Sequence, residues 1–321
     1  MRTTGIIAAT FSTFDDKGNL DLQLISTIVE KLVAEGVTGV FVCGTNGEGL
    51  SLSIEERKLI AEAYIRAAKK RIKVFVHVGH SSVTEARKLA AHAAEAGADA
   101  VSAVAAFYFK PSSVSSLVDC MATIAGGAPG VPFYYYHMPA ITGVNIDVLQ
   151  FLKQGAEKIP TLAGVKYTAN TLHEFQRCLH YAGDRFDVLF GYDELLLPAL
   201  SVGARGAVGS TYSFAAPMYI KIIELFREGK INEAEDWQYR CVQMIGGLAK
   251  YSPIPAQKAI LKMLGTDLGG CRLPLRGLAK EEFRELRQYL EQVHFFSDLE
   301  EAVTTRQKVH TAADALATQR S

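Results

Sequence analysis

Lys166 closes an otherwise apolar run, Leu162–Val165, and is followed by Tyr167-Thr168. An ammonium is costly to bury, and burial lowers a lysine pKa. The neutral amine is the form that attacks a carbonyl, so Lys166 is a candidate Schiff-base nucleophile. The alternative is a side chain that reaches out to solvent from the strand tip. Upstream, Tyr134-Tyr135-Tyr136-His137-Met138-Pro139 closes another apolar run. One of these tyrosines could carry a proton; core packing is the alternative for all of them. Gly44-Thr45-Asn46-Gly47-Glu48-Gly49 is a third point of interest. Its N–H groups could face an anion such as a carboxylate, or the segment could simply turn a strand into a helix. It lacks the GK[ST] of a nucleotide P-loop.

Further polar residues follow other apolar runs. Gly191-Tyr192-Asp193-Glu194 offers two carboxylates to sugar hydroxyls, unless Asp193 caps the next helix. Ser210, in Gly209-Ser210-Thr211, binds ligand or caps a helix. Phe107-Tyr108-Phe109-Lys110-Pro111 reads as aromatic packing. His77 and His80 form H-x-x-H, but no cysteine or carboxylate cluster supports a metal there.

The elements that position these residues are legible as apolar runs bounded by turn residues: Gly5–Thr10, Gly39–Cys43, Val74–Val78, Ala100–Val104, Pro132–Tyr136, Leu162–Val165, Val188–Phe190 and Gly206–Val208. They do not alternate polar with apolar, as expected of strands covered on both faces in a parallel sheet. Helical patterns separate most of them: Leu20–Ala34, a capping box at Ser53-Ile54-Glu55-Glu56 opening a helix to Lys70, Thr84–Ala96 and Leu172–Ala182. Glycine follows the helix in three similar joints, at Gly36, Gly97 and Gly203. The alternation predicts an α/β fold, a (β/α)8 TIM barrel, with a doubly wound open sheet as the alternative. Active sites of that barrel lie at the C-terminal ends of the strands, where every candidate residue falls. Residues 1–216 form the expected barrel core. Residues 217–299 read as a closing helix and a small C-terminal helical extension, with helices about Pro217–Arg227, Ile231–Ala249, Pro255–Leu264 and Lys280–Val293. Residues 300–321 read as a polar tail, loosely helical or disordered.

The bulk composition narrows the function classes. Lys+Arg and Asp+Glu each total 34, so nothing in net charge points to nucleic acid or an anionic membrane as partner. No Asp, Glu, Lys or Arg occurs from Cys120 to Ile146, but Pro129, Pro132 and Pro139 interrupt that stretch. It reads as a helix end, a turn, a buried strand and a loop, not a membrane span. The five cysteines are odd in number and form no CxxC pair, which fits reduced thiols and a cytoplasmic location. The apolar run at Met1–Phe11 is too short for a signal peptide.

Taken together at these separations, Gly44–Gly49, Tyr136-His137-Met138-Pro139-Ala140, Gly164-Val165-Lys166 and Gly209-Ser210-Thr211 resemble the N-acetylneuraminate lyase and dihydrodipicolinate synthase superfamily. The resemblance runs to about Leu299. Phe133–Gly143, Gly191–Glu194 and Arg272-Leu273-Pro274-Leu275 are most similar to the lyase branch, particularly its animal type. Synthases usually carry an arginine shortly after the proline of the tyrosine motif; here Ala140 and Ile141 stand there. The resemblance implies a class I aldolase that cleaves sialic acid to pyruvate and N-acetylmannosamine, without metal or organic cofactor. It implies Lys166 as nucleophile and Tyr136 as proton carrier. Thr45 and the backbone of Asn46 would hold the pyruvyl carboxylate, Thr45 also linking to Tyr136. Asn46 stands where a second hydroxyl residue is more usual. Thr168, Gly191, Asp193, Glu194 and Ser210 would bind the sugar. Tyr108 matches a tyrosine that reaches a neighbouring subunit's site in synthases, and a homotetramer is expected. Competing readings are an aldolase for another 2-keto-3-deoxy sugar acid, a dihydrodipicolinate synthase, and a non-catalytic sugar-acid sensor.

Overall fold

The computed structural model describes residues 3–318 of the chain. Eight strands close into a parallel barrel in sequence order: β1 (Gly5–Ala9), β2 (Gly39–Val42), β3 (Lys73–His77), β4 (Ala100–Val104), β5 (Phe133–His137), β6 (Leu162–Tyr167), β7 (Asp187–Phe190) and β8 (Gly206–Gly209), the last pairing with the first. Each matches one of the expected apolar runs to within a residue or two at its ends. The (β/α)8 barrel is therefore the fold, and the open-sheet alternative falls.

The helices between strands are α1 (Leu24–Ala34), α2 (Ile54–Ala68), α3 (Val83–Glu95), α4 (Val114–Ala125), the short α5 (Pro139–Thr142), α6 (Val148–Lys158), α7 (Leu172–Ala182) and α8 (Leu196–Ser201). Ser53 and Glu56 close the capping box that opens α2. At the ends of α1 and α3, Gly36 and Gly97 take φ of +78° and +90°. Only glycine does this without strain, so these positions turn each helix back into the barrel. Helices α4 and α6 had not been singled out in the sequence. The first lies partly in the charge-free stretch, and Gly155 interrupts the apolar face of the second.

Alternate residues of each strand face opposite ways. One set, including Val40, Val42, Val76, Val101, Val165 and Phe190, packs under the helices. The other fills the barrel: Ile7, Ala9, Phe41, Phe75, Val104, Tyr134, Tyr136, Leu189 and Val208. Burial of each large side chain contributes about 1.5–3 kcal/mol, and the filled interior leaves chemistry only the barrel's mouth.

One irregularity sets the site. Phe133 pairs with Leu162, but Tyr134 pairs with Gly164, so β6 carries an extra residue at Ala163. A bulge of this kind reverses which way the residues beyond it face. Val165 and Tyr167 thereby pack outward under the helices, and Lys166 lies directly across from Tyr136 on the inner face. Lys166 is thus inside β6, which continues to Tyr167, rather than beyond the strand's end at Val165.

After β8 come α9 (Tyr212–Arg227), α10 (Ile231–Gly246), α11 (Pro253–Met263), α12 (Lys280–Gln292) and α13 (Phe295–Thr318). Helix α9 begins at Tyr212 but is broken at Ala215, whose φ of −127° and ψ of 22° are not helical, so its second segment opens at about Pro217, as the sequence pattern predicts. The polar segment from residue 300 continues α13 as far as Thr318; residues 319–321 lie outside the described part. No helix among the described residues is long and apolar enough to cross a membrane.

Candidate active site

A cavity of about 370 Å³ opens at the C-terminal ends of the strands. Its wall contains Thr45, Asn46, Tyr136, Lys166, Thr168, Gly191, Asp193, Glu194 and Ser210, all sequence candidates. Tyr108 is the candidate that does not line it.

Lys166 is 5% exposed. Its Nζ stands 4.0 Å from the ring centroid of Tyr136 and 4.2 Å from that of Phe41. The strand-tip alternative, a lysine reaching solvent, is therefore wrong. Aromatic faces cradle the nitrogen and leave its reactive side toward the cavity. The Tyr136 ring is itself wedged edge-on against Phe41 and His77. Of the three consecutive tyrosines, Tyr134 also points inward, but deeper, where its hydroxyl donates to Asp187 at 3.1 Å. Tyr135 faces the helices. Strand alternation thus leaves Tyr136 alone at the mouth.

His77 binds nothing in the cavity. Its Nδ1 lies 3.1 Å from the Cys43 carbonyl, and its Nε2 accepts the Val104 N–H at 3.3 Å. Burial, chiefly, with the Arg57 guanidinium next, pushes its pKa down to about 3. The neutral ring therefore ties β2 to β4, with no lone pair left for a metal. His80 instead accepts the Ser82 N–H at 2.9 Å.

The loop after β2 is held from outside the barrel. Glu48 is buried and pairs with buried Lys258 of α11, Oε1 to Nζ 2.8 Å. Its Oε2 accepts the Arg272 N–H at 2.7 Å, and Lys258 also donates to the Gly270 carbonyl. The C-terminal helices thus fix the backbone that presents Thr45 and Asn46. Asn46 spends its amide on the Ala9 carbonyl at 3.2 Å. The Thr45 hydroxyl donates to the Met138 sulfur at 3.6 Å rather than to Tyr136, so the expected Thr45–Tyr136 link is not made among the described residues.

On the opposite wall, Asp193 has a different task from the one its position suggested. Its Oδ2 accepts the Thr211 N–H at 2.8 Å and the Thr211 hydroxyl at 2.6 Å, and Ser210 donates to it at 3.4 Å. It joins the β7 and β8 loops rather than capping its own short helix. Burial raises its pKa, opposed first by the Thr211 hydroxyl. Glu194, whose pKa is also raised by burial, lines the cavity as well. Gly191 makes room for its neighbour: a Cβ there would stand 2.1 Å from the Thr168 Oγ1. That hydroxyl is buried, with no hydrogen-bond partner among the described residues.

Tyr108 is 78% exposed and Phe109 85%, and the two rings meet edge to face. The packing expected of these aromatics is not made within their own chain. Sequence reasoning also missed one whole wall of the cavity, Ile245, Leu248, Ala249, Tyr251, Pro253 and Gln257. They come from α10, α11 and the turn between them. No strand-end position marks them, so no signal in the sequence placed them here.

A match to the dihydrodipicolinate synthetase family model extends over residues 2–293. The chain belongs to the dihydrodipicolinate synthetase family. Within it, the chain is 38% identical to the N-acetylneuraminate lyase of Mus musculus, covering 91% of this chain and 93% of that protein. It is 37% identical to the Homo sapiens N-acetylneuraminate lyase, covering 92% and 95%. The native structure of the Aliivibrio salmonicida N-acetylneuraminate lyase (sialic acid aldolase) aligns with a TM-score of 0.89 at 39% identity, covering 92% of this chain and 98% of that one. A dihydrodipicolinate synthase structure aligns at 0.83, with 26% identity over 91% of this chain and 99% of that one. The family's barrel is thus common to both activities, and the higher identity falls on the lyases.

Proposed function

We propose that this protein is an N-acetylneuraminate lyase, cleaving sialic acid to N-acetylmannosamine and pyruvate through a Schiff base on Lys166. The observation that carries the reading is the placement of Lys166 Nζ 4.0 Å from the ring of Tyr136, across one strand pair, in a cavity also lined by Thr45 and Glu194. The higher identity to lyases than to the synthase supports the choice of substrate.

In this reading the Lys166 amine adds to the C2 ketone of the open-chain sugar acid, and water leaves. The iminium is an electron sink beside the bond to be broken. The C4 hydroxyl gives its proton to Tyr136 as phenolate, the form favoured beside the iminium cation, and the C3–C4 electron pair flows into the iminium. N-acetylmannosamine departs as the aldehyde and an enamine remains. Tyr136 returns the proton to C3, and water releases pyruvate from the lysine. Thr45 and the backbone of Asn46 hold the carboxylate. Thr168, Glu194 and Ser210 meet the sugar, with Gly191 giving Thr168 its space and Asp193 fixing the two loops. The protein acts in the cytoplasm as a homotetramer, in which the exposed Tyr108 reaches a neighbouring subunit. Sedimentation at the monomer mass would remove that last part.

The deciding experiment is borohydride reduction with pyruvate, followed by peptide mass spectrometry, alongside pyruvate release from sialic acid. The expected result is a reduced pyruvyl adduct on Lys166 and turnover of sialic acid. An adduct on another lysine, or none, overturns the nucleophile. An adduct on Lys166 without sialic acid turnover overturns the substrate.

A further inference from the structure

We infer that Gln257 is a specificity-determining residue, whose side-chain carbonyl accepts a hydrogen bond from the aldehyde half of the substrate. The inference rests on the functional reading above. Gln257 sits on α11, is 3% exposed and lines the same cavity as Lys166. Its Oε1 is buried and has no hydrogen-bond partner among the described residues. A buried acceptor left unpaired is costly, so its retention calls for a partner that arrives with the ligand. The amide departs from an anchored stretch of helix. The next residue, Lys258, is locked to Glu48 and to the Gly270 carbonyl, which fixes α11 at this point.

The chemistry of the atom selects which half of the substrate it meets. Oε1 can only accept. Pyruvate presents a carboxylate, a ketone and a methyl group, and none of these donates a hydrogen bond. An aminosugar presents hydroxyls and an amide N–H, all donors. The surrounding wall agrees, since Ile245, Leu248 and Ala249 are apolar and offer an anion nothing. A neutral donor against an amide carbonyl fits there.

The test is the variant Gln257→Met, which keeps the length of the side chain and removes the acceptor. Kinetics are followed in the condensation direction, with N-acetylmannosamine and pyruvate varied separately. The expected result is that kcat/KM for the aminosugar falls by about tenfold to a hundredfold, while KM for pyruvate moves less than about twofold. Borohydride trapping of pyruvate on Lys166 in the same preparation shows that the variant is folded. Unchanged aminosugar kinetics overturn the inference, as does a loss that falls equally on pyruvate. If Gln257→Met does not fold, Gln257→Asn withdraws the carbonyl by one methylene and must give the same one-sided loss. A wild type that forms the adduct but condenses no aminosugar sinks the functional reading instead, and the inference with it.

Discussion

At the scale of single residues, the site divides groups that act from groups that hold them. Lys166 and Tyr136 face the cavity and each other. His77 and Asp193 sit among them with perturbed ionisation, yet both ring nitrogens of His77 and the Oδ2 of Asp193 are held by protein partners. A shifted pKa alone would have misassigned them. The assignment of Tyr136 predicts that Tyr136→Phe lowers sialic acid turnover by about 10²–10⁴-fold, the usual worth of a positioned proton carrier. Pyruvate should still be trapped on Lys166. Trapping that vanishes along with turnover argues that the hydroxyl serves imine formation instead.

At the scale of elements, the decisive features are a bulge and a clamp. The extra residue at Ala163 turns Lys166 inward. Gly164 permits it, because a Cβ there would stand 1.8 Å from the Asp187 carbonyl oxygen. The clamp is the Glu48–Lys258 pair, which joins the β2 loop to α11 across most of the chain's length. Removing one partner of a buried pair leaves the other uncompensated, at a cost of about 3–5 kcal/mol. Lys258→Met should therefore lower the urea midpoint sharply. It should also raise KM for pyruvate, because the loop presenting Thr45 and Asn46 loses its anchor. A variant with wild-type stability would show that the pair contributes little. One with normal pyruvate kinetics would separate the clamp from the site.

At the scale of the whole molecule, buried neutral histidines set the acid limit of stability. Burial pushes His77 down to about 3 and His137 to about 4, from the ordinary imidazole value of 6.5. Below pH 6.5 the unfolded chain takes up these protons while the folded one does not. Stability from this source is present above pH 6.5 and is lost as pH falls toward 4 and then 3. Thermal unfolding should show Tm dropping over that interval, and His77→Gln should flatten part of the drop. A wild-type Tm that is level from pH 7 to pH 4 would contradict the burial argument.

How much of this was legible in the sequence depends on how local the cause is. Continuous apolar runs at Gly39–Val42 and Ala100–Val104, joined by glycines at helix ends, announce strands covered on both faces. That periodicity is a property of neighbours in the chain, so the eight strands, their alternation with helices and the residues at the strand ends could be read directly. The resemblance added the family and the identity of the nucleophile. Three things depend on distant contacts. The bulge in β6 exists only through its pairing with β5, and it alone turns Lys166 to the inner face. Asp193 looks like a ligand until Thr211 is folded against it. The wall from α10 and α11, with Gln257 in it, reaches the cavity because Glu48 binds Lys258. Sequence determined which residues stand at the barrel's mouth, because strand and turn chemistry are local. Tertiary structure decided which of them are free to act, because a polar group's freedom depends on partners brought from elsewhere in the chain.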